Sequence, residues 1–194
     1  MEIYRLQLDL IKELDPNLKF VRPLGQGGIE GNAFLVRKEK ENLVLKITKS
    51  FDLKREAEVL KALNGIASIP RIVNVYKNQE FLQKINDKLV EFSEDAVIAI
   101  LKQYIPGESL YTHNGRIFNL EGTFKQLKKD FKRKGYLLPT DLNSNNIIYN
   151  PSERQIYLID LGRVLPIPEK TAIAKNIEDE IARKIKTLIN RFGN

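Results

Sequence analysis

A break in the hydrophobic pattern at residues 105–107, Ile-Pro-Gly, constrains the fold of this chain more than any other feature. Before the break, most apolar residues fall in short runs of strand character. After it, helical spacing prevails around one small hairpin. Strands that precede a largely helical segment are typical of α+β proteins. We therefore predict an α+β protein with two lobes joined by this Pro-Gly connector.

Local patterns predict where the elements lie along the chain. Runs rich in β-branched and apolar residues predict strands at 18–24, 33–36, 43–48, 71–76, 96–104, 147–149 and 156–159. Helical spacing of apolar residues predicts helices at 3–14, 53–63, 123–134 and 169–191. Residues 78–95 are charged and ambiguous, so no element is predicted there. The glycine cluster at 25–31 lies between two strands and predicts a hairpin loop.

The composition excludes several kinds of site. The 194 residues include no cysteine, which excludes disulfides, thiolate nucleophiles and thiolate metal sites. The single histidine, His113, excludes a multi-histidine metal site. Since it has no evident acidic partner nearby in the sequence, we expect it at the surface or packed within a lobe. No apolar run approaches the roughly 18 residues of a membrane span, and residues 1–14 do not resemble a cleavable signal, so we expect a soluble protein.

The net charge of +7 leaves the kind of partner open. The densest basic run, residues 125–134, has the spacing of the solvated side of an amphipathic helix. Solvation is the simplest interpretation, and an acidic partner on this helix is the alternative. Nucleic acid is not favoured, because no aromatic stacking platform accompanies the run.

Features of the predicted first lobe suit the binding of phosphate groups. The glycine cluster at 25–31 lets backbone N–H groups approach a phosphate, because glycine has no side chain in the way. Lys46 lies within an apolar strand, where an unpaired ammonium group is costly to bury. Glu56 on the following helix is a suitable anionic partner, which would hold the ammonium toward phosphates. An ordinary glycine-rich hairpin and a lysine that extends from an edge strand are the alternatives.

The most specific pattern is a pair of polar segments around the hairpin of the second lobe. Residues 139–148 read Pro-Thr-Asp-Leu-Asn-Ser-Asn-Asn-Ile-Ile, and residues 156–162 read Ile-Tyr-Leu-Ile-Asp-Leu-Gly. The first segment places Asp141 five residues before Asn146, and the second ends a hydrophobic strand with Asp160. These segments resemble the catalytic loop and the metal-binding Asp-Phe-Gly segment of protein kinases.

The resemblance to protein kinases covers the chain from about residue 18 to residue 162 and implies ATP and Mg²⁺ as cofactors. It implies that Asp141 orients or deprotonates the acceptor hydroxyl, and that Lys46 and Glu56 form the strand–helix ion pair. The nucleotide would then be held by Gly25, Gly27 and Gly31 at its phosphates, by the backbone of Gln103 and Ile105 at adenine, and by magnesium on Asn146 and Asp160. The first lobe would comprise residues 1–102 and contain an antiparallel sheet. The second lobe would comprise residues 108–194, and residues 103–107 would form the hinge between them.

Several positions depart from the protein-kinase pattern. Pro139 and Thr140 replace the usual His-Arg pair, and Leu161 replaces the phenylalanine of Asp-Phe-Gly. Asn143 stands where a lysine usually lies near the γ-phosphate, so another cation would have to serve or catalysis would be slower. The glycine loop has one extra residue before Gly31. The obligatory metal ligands are all present, which favours an active enzyme over a pseudokinase.

The segment after Asp160 resembles that of minimal atypical bacterial kinases. Only 34 residues follow, with no Ala-Pro-Glu element and no room for the helical subdomain that binds peptide substrates. Type III secretion effector kinases share this truncation. The resemblance to them implies a truncated helical second lobe, a serine/threonine protein substrate, and a location in the cytoplasm or, for a secreted effector, in the host cytosol.

Two other functions stay open. Residues 105–110 also resemble the segment after the hinge in antibiotic and sugar phosphotransferases, which would indicate a small-molecule kinase. Those enzymes usually carry a large helical insert, and none fits here. The second alternative is a pseudokinase that binds an acidic partner, and the intact set of polar site residues argues against it.

Overall fold

The structure, a computed structural model, describes residues 11–28, 31–47, 53–77 and 97–194, and of residues 25–28 and 31–32 it describes the backbone alone. Tertiary contacts divide the chain into two units. The first contains the described residues of Met1–Ala57 and Arg71–Tyr104, and the second those of Glu58–Pro70 and Ile105–Asn194. The lobe limits at 102 and 108 stay predictions.

The first unit is built on a five-stranded antiparallel sheet. Its strands are β1 (Leu18–Gly28), β2 (Gly31–Lys38), β3 (Glu41–Ile47), β4 (Ile72–Tyr76) and β5 (Ala99–Gln103). They lie in the order β1-β2-β3-β5-β4, and every neighbouring pair is antiparallel. The predicted α+β class with an antiparallel sheet in its first half is confirmed, although the strand ends differ by a few residues.

Strand β3 shows how the sequence positions its polar residue. Leu43, Leu45 and Ile47 alternate along the strand and pack in the buried apolar core of the unit. Because successive side chains of a strand point to opposite faces, Lys46 lies on the other face of the sheet. The alternation therefore places Lys46 on the face of this central strand that is opposite the apolar core.

Asp15 ties the residues before β1 to this sheet. Residues 11–14 are helical, and the rest of the predicted helix at 3–14 lies outside the described residues. Tyr76 and Lys38 donate to Oδ2 of Asp15 at 2.9 and 3.2 Å, and the backbone N–H of Asn17 donates to Oδ1 at 3.0 Å. Burial acts to raise the pKa of Asp15, but these hydrogen bonds outweigh it and hold that pKa below its usual range.

The second unit contains a three-stranded antiparallel sheet and most of the helical residues. Helix α1 (Lys54–Ala62) has residues assigned to each unit. The remaining elements are β6 (Glu108–Ser109), helix α2 (Leu120–Arg133), a 3₁₀ turn (Ser144–Asn146), β7 (Ile147–Asn150), β8 (Gln155–Leu158) and helix α3 (Thr171–Phe192). Strand β7 lies between β6 and β8. The sequence did not predict β6, because two residues are too few to show a strand pattern.

The basic run lies on the outer side of α2. Four apolar residues of this helix are buried: Leu120, Phe124, Leu127 and Phe131. Lys128 and Lys132, on the more exposed side, pair with Glu178 of α3 at 3.3 and 2.7 Å. The hydrogen bond from Lys132, aided by Lys128, lowers the pKa of Glu178. The solvated face is therefore as predicted, and part of its charge is matched by an acidic residue of the same chain.

Within the described residues, no helix has the length and apolar character that a membrane span requires.

Candidate active site

Lys46 and Glu56 form a buried ion pair within the first unit. Nζ of Lys46 lies 2.7 Å from Oε2 of Glu56, and their side chains are 14% and 3% exposed. Helix α1 follows β3 in the chain, and its first turn presents Glu56 to the face of the sheet that carries Lys46. The pairing that the sequence suggested is therefore present, in surroundings where water screens it little.

A second lysine also binds Glu56, and the sequence analysis missed it. Nζ of Lys102, on β5, lies 3.1 Å from Oε1 of Glu56, and the Lys102 side chain is only 6% exposed. The available signal was the same as for Lys46, because Lys102 also interrupts an apolar strand. The carboxylate thus has one oxygen on each lysine.

In the second unit, the loop before β7 is organised around Asp141. The side-chain amide of Asn143 donates to the Asp141 carbonyl at 2.7 Å. The amide nitrogen of Asn146 donates to the same carbonyl and to Oδ2 of Asp141, both at 3.3 Å. Oδ1 of Asn143 caps the 3₁₀ turn by accepting from the Asn145 N–H at 2.9 Å. The asparagine-rich sequence therefore holds Asp141 and Asn146 side by side, and the polar side chains stabilise the loop.

Asp160 follows β8, next to the loop of Asp141. The N–H of Ile159 donates to the carbonyl of Asn146 at 3.0 Å, which joins the two segments just before Asp160. The N–H of Gly162 donates to Oδ1 of Asp160 at 3.2 Å, so the Asp-Leu-Gly turn fixes its own carboxylate. Leu161 is completely buried.

Lys184 is a further residue that sequence reasoning did not find. It extends from α3 and donates to the carbonyl of Thr140, the residue before Asp141. Thr140 also donates through its backbone N–H to the carbonyl of Arg163 at 3.3 Å. These contacts join residues far apart in the chain, and no local pattern could reveal them. They hold the backbone just before Asp141.

The glycine cluster forms the ends of two strands. Gly25 and Gly27 belong to β1 and Gly31 begins β2, with Gly28 opposite Gly31. The hairpin is confirmed, but the prediction that the whole cluster is a loop is wrong, because the strand pairing continues into it. Residues 29–30 lie outside the described part.

The predicted hinge residues differ in the hydrogen bonds that they already make. The N–H of Gln103 donates to the carbonyl of Arg71 at 2.8 Å, and Oε1 of Gln103 accepts from the Arg71 N–H at 3.2 Å. The Gln103 N–H is therefore already engaged by Arg71. The backbone N–H of Ile105 makes no hydrogen bond within the described residues.

His113 packs in the second unit and has an acidic partner after all. Its Nδ1 lies 2.8 Å from Oε1 of Glu108, and its ring lies 5.0 Å from that of Tyr149 and 6.4 Å from that of Phe192. The packed position that the sequence predicted is present, but the statement that no acidic partner lies nearby in the sequence is wrong, because Glu108 is only five residues before His113.

The oxygen atoms of Asn146 and Asp160 suit magnesium better than a metal ion whose ligands all come from the protein. No cluster of three or more acidic, histidine or cysteine side chains occurs within the described residues. Magnesium commonly takes one or two carboxylates together with phosphate oxygens and water. Asp160 offers carboxylate oxygen, and Asn146 turns its amide nitrogen to Asp141, so that its amide oxygen is left to act as a ligand. These residues fit such an ion.

The five-stranded antiparallel sheet with its following helix, and the second unit with its polar loop, have a protein-kinase-like fold. A solved structure similar to this chain is the Cydia pomonella granulovirus kinase PK-1, with a TM-score of 0.61 and 14% sequence identity. The similarity covers 86% of this chain and 59% of that chain, so the chain spans little more than half of its neighbour's length. No protein-family model matches the sequence, and no curated protein matches it by sequence.

Proposed function

We propose that this chain is an ATP- and magnesium-dependent phosphotransferase that acts as an atypical serine/threonine protein kinase. The observation that carries the proposal is the buried pair of Lys46 and Glu56 at 2.7 Å, in a kinase-like fold. A carboxylate on a neighbouring helix keeps the lysine ammonium extended and charged, which is what the α- and β-phosphates of a nucleotide require.

The proposed nucleotide site uses backbone groups at both ends of ATP. Gly25, Gly27 and Gly31 lie at the β1–β2 hairpin, where the absence of side chains allows N–H groups to approach phosphates. The carbonyl of Gln103 and the N–H of Ile105 are the proposed partners of adenine. Both are backbone groups, so this recognition would depend on the path of the chain and not on side-chain identity.

The proposed chemistry belongs to the loop of Asp141. A hydroxyl of the acceptor would donate its hydrogen bond to the Asp141 carboxylate, which orients the oxygen toward the γ-phosphate and accepts its proton. Asn146 holds that carboxylate by a hydrogen bond of 3.3 Å, so the direction of the carboxylate is set before an acceptor arrives. Asn146 and Asp160 would hold magnesium, which neutralises charge on the phosphate oxygens when bound.

The proposed acceptor is a hydroxyl of a protein, as in the effector kinases that the sequence resembles. The neighbouring solved structure is a viral kinase, and a host or bacterial protein is the substrate class to test first. A sugar or antibiotic acceptor and a pseudokinase are the other outcomes of the same experiment.

Incubation with γ-labelled ATP and magnesium tests the proposal, in the presence of a eukaryotic lysate, a bacterial lysate, or a panel of aminoglycosides and sugars. We expect label on protein that disappears in the Asp160→Asn and Asp141→Asn variants. Asp179→Asn, an exposed aspartate on α3, is the matched control and should keep the label. Label on small molecules alone would contradict a protein substrate, and no turnover with any acceptor would contradict an active enzyme.

A further inference from the structure

A groove of about 410 Å³ lies between α2 and α3 in the second unit. Its lining comes from positions 121–128 of α2 and positions 181–190 of α3. At a rise of 1.5 Å per residue, each stretch extends roughly 10–14 Å along its helix, which is two to three turns. These positions are distinct from those assigned to the proposed phosphotransfer, so the groove is a separate feature of the unit.

Half of the residues that line the groove are apolar. Phe124 and Ile181 are buried, whereas Ile185 and Ile189 are half-buried and Ala182 is exposed. Because Ile181, Ile185 and Ile189 are four residues apart, they follow one face of α3. Part of this apolar strip is open to water, and it would gain free energy by packing against the apolar face of another helix.

Basic side chains outnumber acidic ones along the same groove. Lys125, Lys128 and Lys186 line it, together with the acidic Glu121. Lys125 pairs with Glu121 at 2.7 Å, and Lys128 lies 3.3 Å from Glu178. Lys186 is exposed and forms no ion pair within the described residues. A ligand with negative charges beside an apolar strip is therefore complementary to this lining, and a basic ligand is not.

We propose that the groove binds an acidic amphipathic helix of a protein partner. Its apolar side chains would pack against Ile185 and Ile189, and its carboxylates would face the lysines of the lining. An amphipathic helix laid into a hydrophobic groove is a recurring mode of peptide recognition. The groove accommodates only two to three turns, so the contact is small and of the transient kind. The inference goes beyond the proposed function, because it concerns binding and not phosphotransfer.

Fluorescence anisotropy with three synthetic peptides tests the chemistry of the partner. Each peptide has about 18 residues, leucines at helical spacing and a side-chain lactam that keeps it helical. The residues that flank the leucines are glutamate in the first peptide, glutamine in the second and lysine in the third. We expect the affinity for the wild-type protein to fall in that order, by about tenfold from the first peptide to the third at low salt. Added salt should reduce this ratio, since it screens exposed charges.

Three substitutions at exposed positions of α3 locate the binding. Ala182→Glu puts a charge on the apolar strip and should weaken the glutamate peptide on the order of tenfold. Lys186→Glu reverses a charge of the lining and should weaken it on the order of fivefold. Lys175→Glu makes the same change of charge on the same helix and is the matched control, with an expected effect below about twofold. Lys175 lies roughly 16 Å from Lys186 along the helix axis, beyond the screening length of about 8 Å at physiological salt.

Several results would overturn the inference. They are equal affinities for the three peptides, equal affinities of all the variants for the glutamate peptide, and no binding by the wild type. Sedimentation velocity tests a second occupant, another copy of this chain, because a dimer that Ala182→Glu dissociates would assign the groove to self-association and overturn a protein partner. Should Ala182→Glu not fold, Ala182→Gln serves for the same comparison. Transfer of label from ATP is measured separately, so failure of this docking groove leaves the proposed function standing.

Discussion

Replacement of Glu56 by alanine tests how strongly this carboxylate stabilises the two buried lysines that it contacts, Lys46 and Lys102. The substitution removes two contacts, at 2.7 and 3.1 Å, from lysine side chains that are 14% and 6% exposed. Loss of one partner of a buried ion pair typically costs about 3–5 kcal/mol. Because Lys46 retains some access to water, we expect the lower end, about 3 kcal/mol, which is a large part of the roughly 5–15 kcal/mol of a whole domain.

Urea unfolding followed by circular dichroism measures this loss for Glu56→Ala. A lower midpoint with an unchanged dependence on denaturant would report a change in stability alone. Glu58→Ala, two positions along the same helix and exposed, is the matched control and should cost less than about 0.5 kcal/mol. Equal midpoints for the two variants would refute the claim that Glu56 neutralises buried charge.

Other residues of the second unit give three further tests. Phe131→Ala empties a completely buried position and should lower the free energy of unfolding by about 3–5 kcal/mol in urea titration; a loss below about 1 kcal/mol would contradict the packing of α2. Gly107→Ala should lower the melting temperature more than Gly135→Ala. A Cβ at Gly107 (φ +141°) would clash with the carbonyl oxygen of Tyr149, whereas a Cβ at Gly135 (φ +83°) would meet no atom within 4 Å. Equal melting temperatures for the two variants would count against this geometry. Glu178→Gln should lower the free energy of unfolding by about 0.5–1 kcal/mol near pH 7, because a carboxylate whose pKa is lowered on folding adds stability at pH values above its unfolded pKa. This difference in stability from the wild type should vanish as the pH falls through the folded-state pKa, which lies below the ordinary 4.5. A difference that does not depend on pH would rule out the ion pairs.

Much of the fold could be predicted because its signals are local. Alternation in β3 and the helical spacing of α2 are set by neighbours in the sequence, and both elements formed where these patterns lie. The Asp141 loop was equally visible, since the asparagines that hold it lie within five residues of it. These features depend only on residues that are close together in the sequence.

The residues that escaped prediction act across long distances in the chain. Lys102 reaches Glu56 from 46 residues away, and Lys184 reaches Thr140 from 44 residues away. Glu108 is an exception, because it lies only five residues before His113 and a local turn, in which the His113 N–H donates to the Ser109 carbonyl at 3.0 Å, lies between them. The two lysine contacts, by contrast, are long-range. Contacts of this kind depend on strand order and helix placement, which a single sequence does not encode in its local pattern.

The hydrogen bonds of Asn143 and Asn146 to Asp141 also bear on entropy. A loop of polar side chains in open solvent would sample many rotamers, and each side chain ordered on ligand binding would cost on the order of 1 kcal/mol. Here the amide groups already hold the aspartate at 2.7 and 3.3 Å. Folding has therefore restricted these side chains in advance, and under the proposed function an acceptor at Asp141 would lose little affinity to ordering the loop.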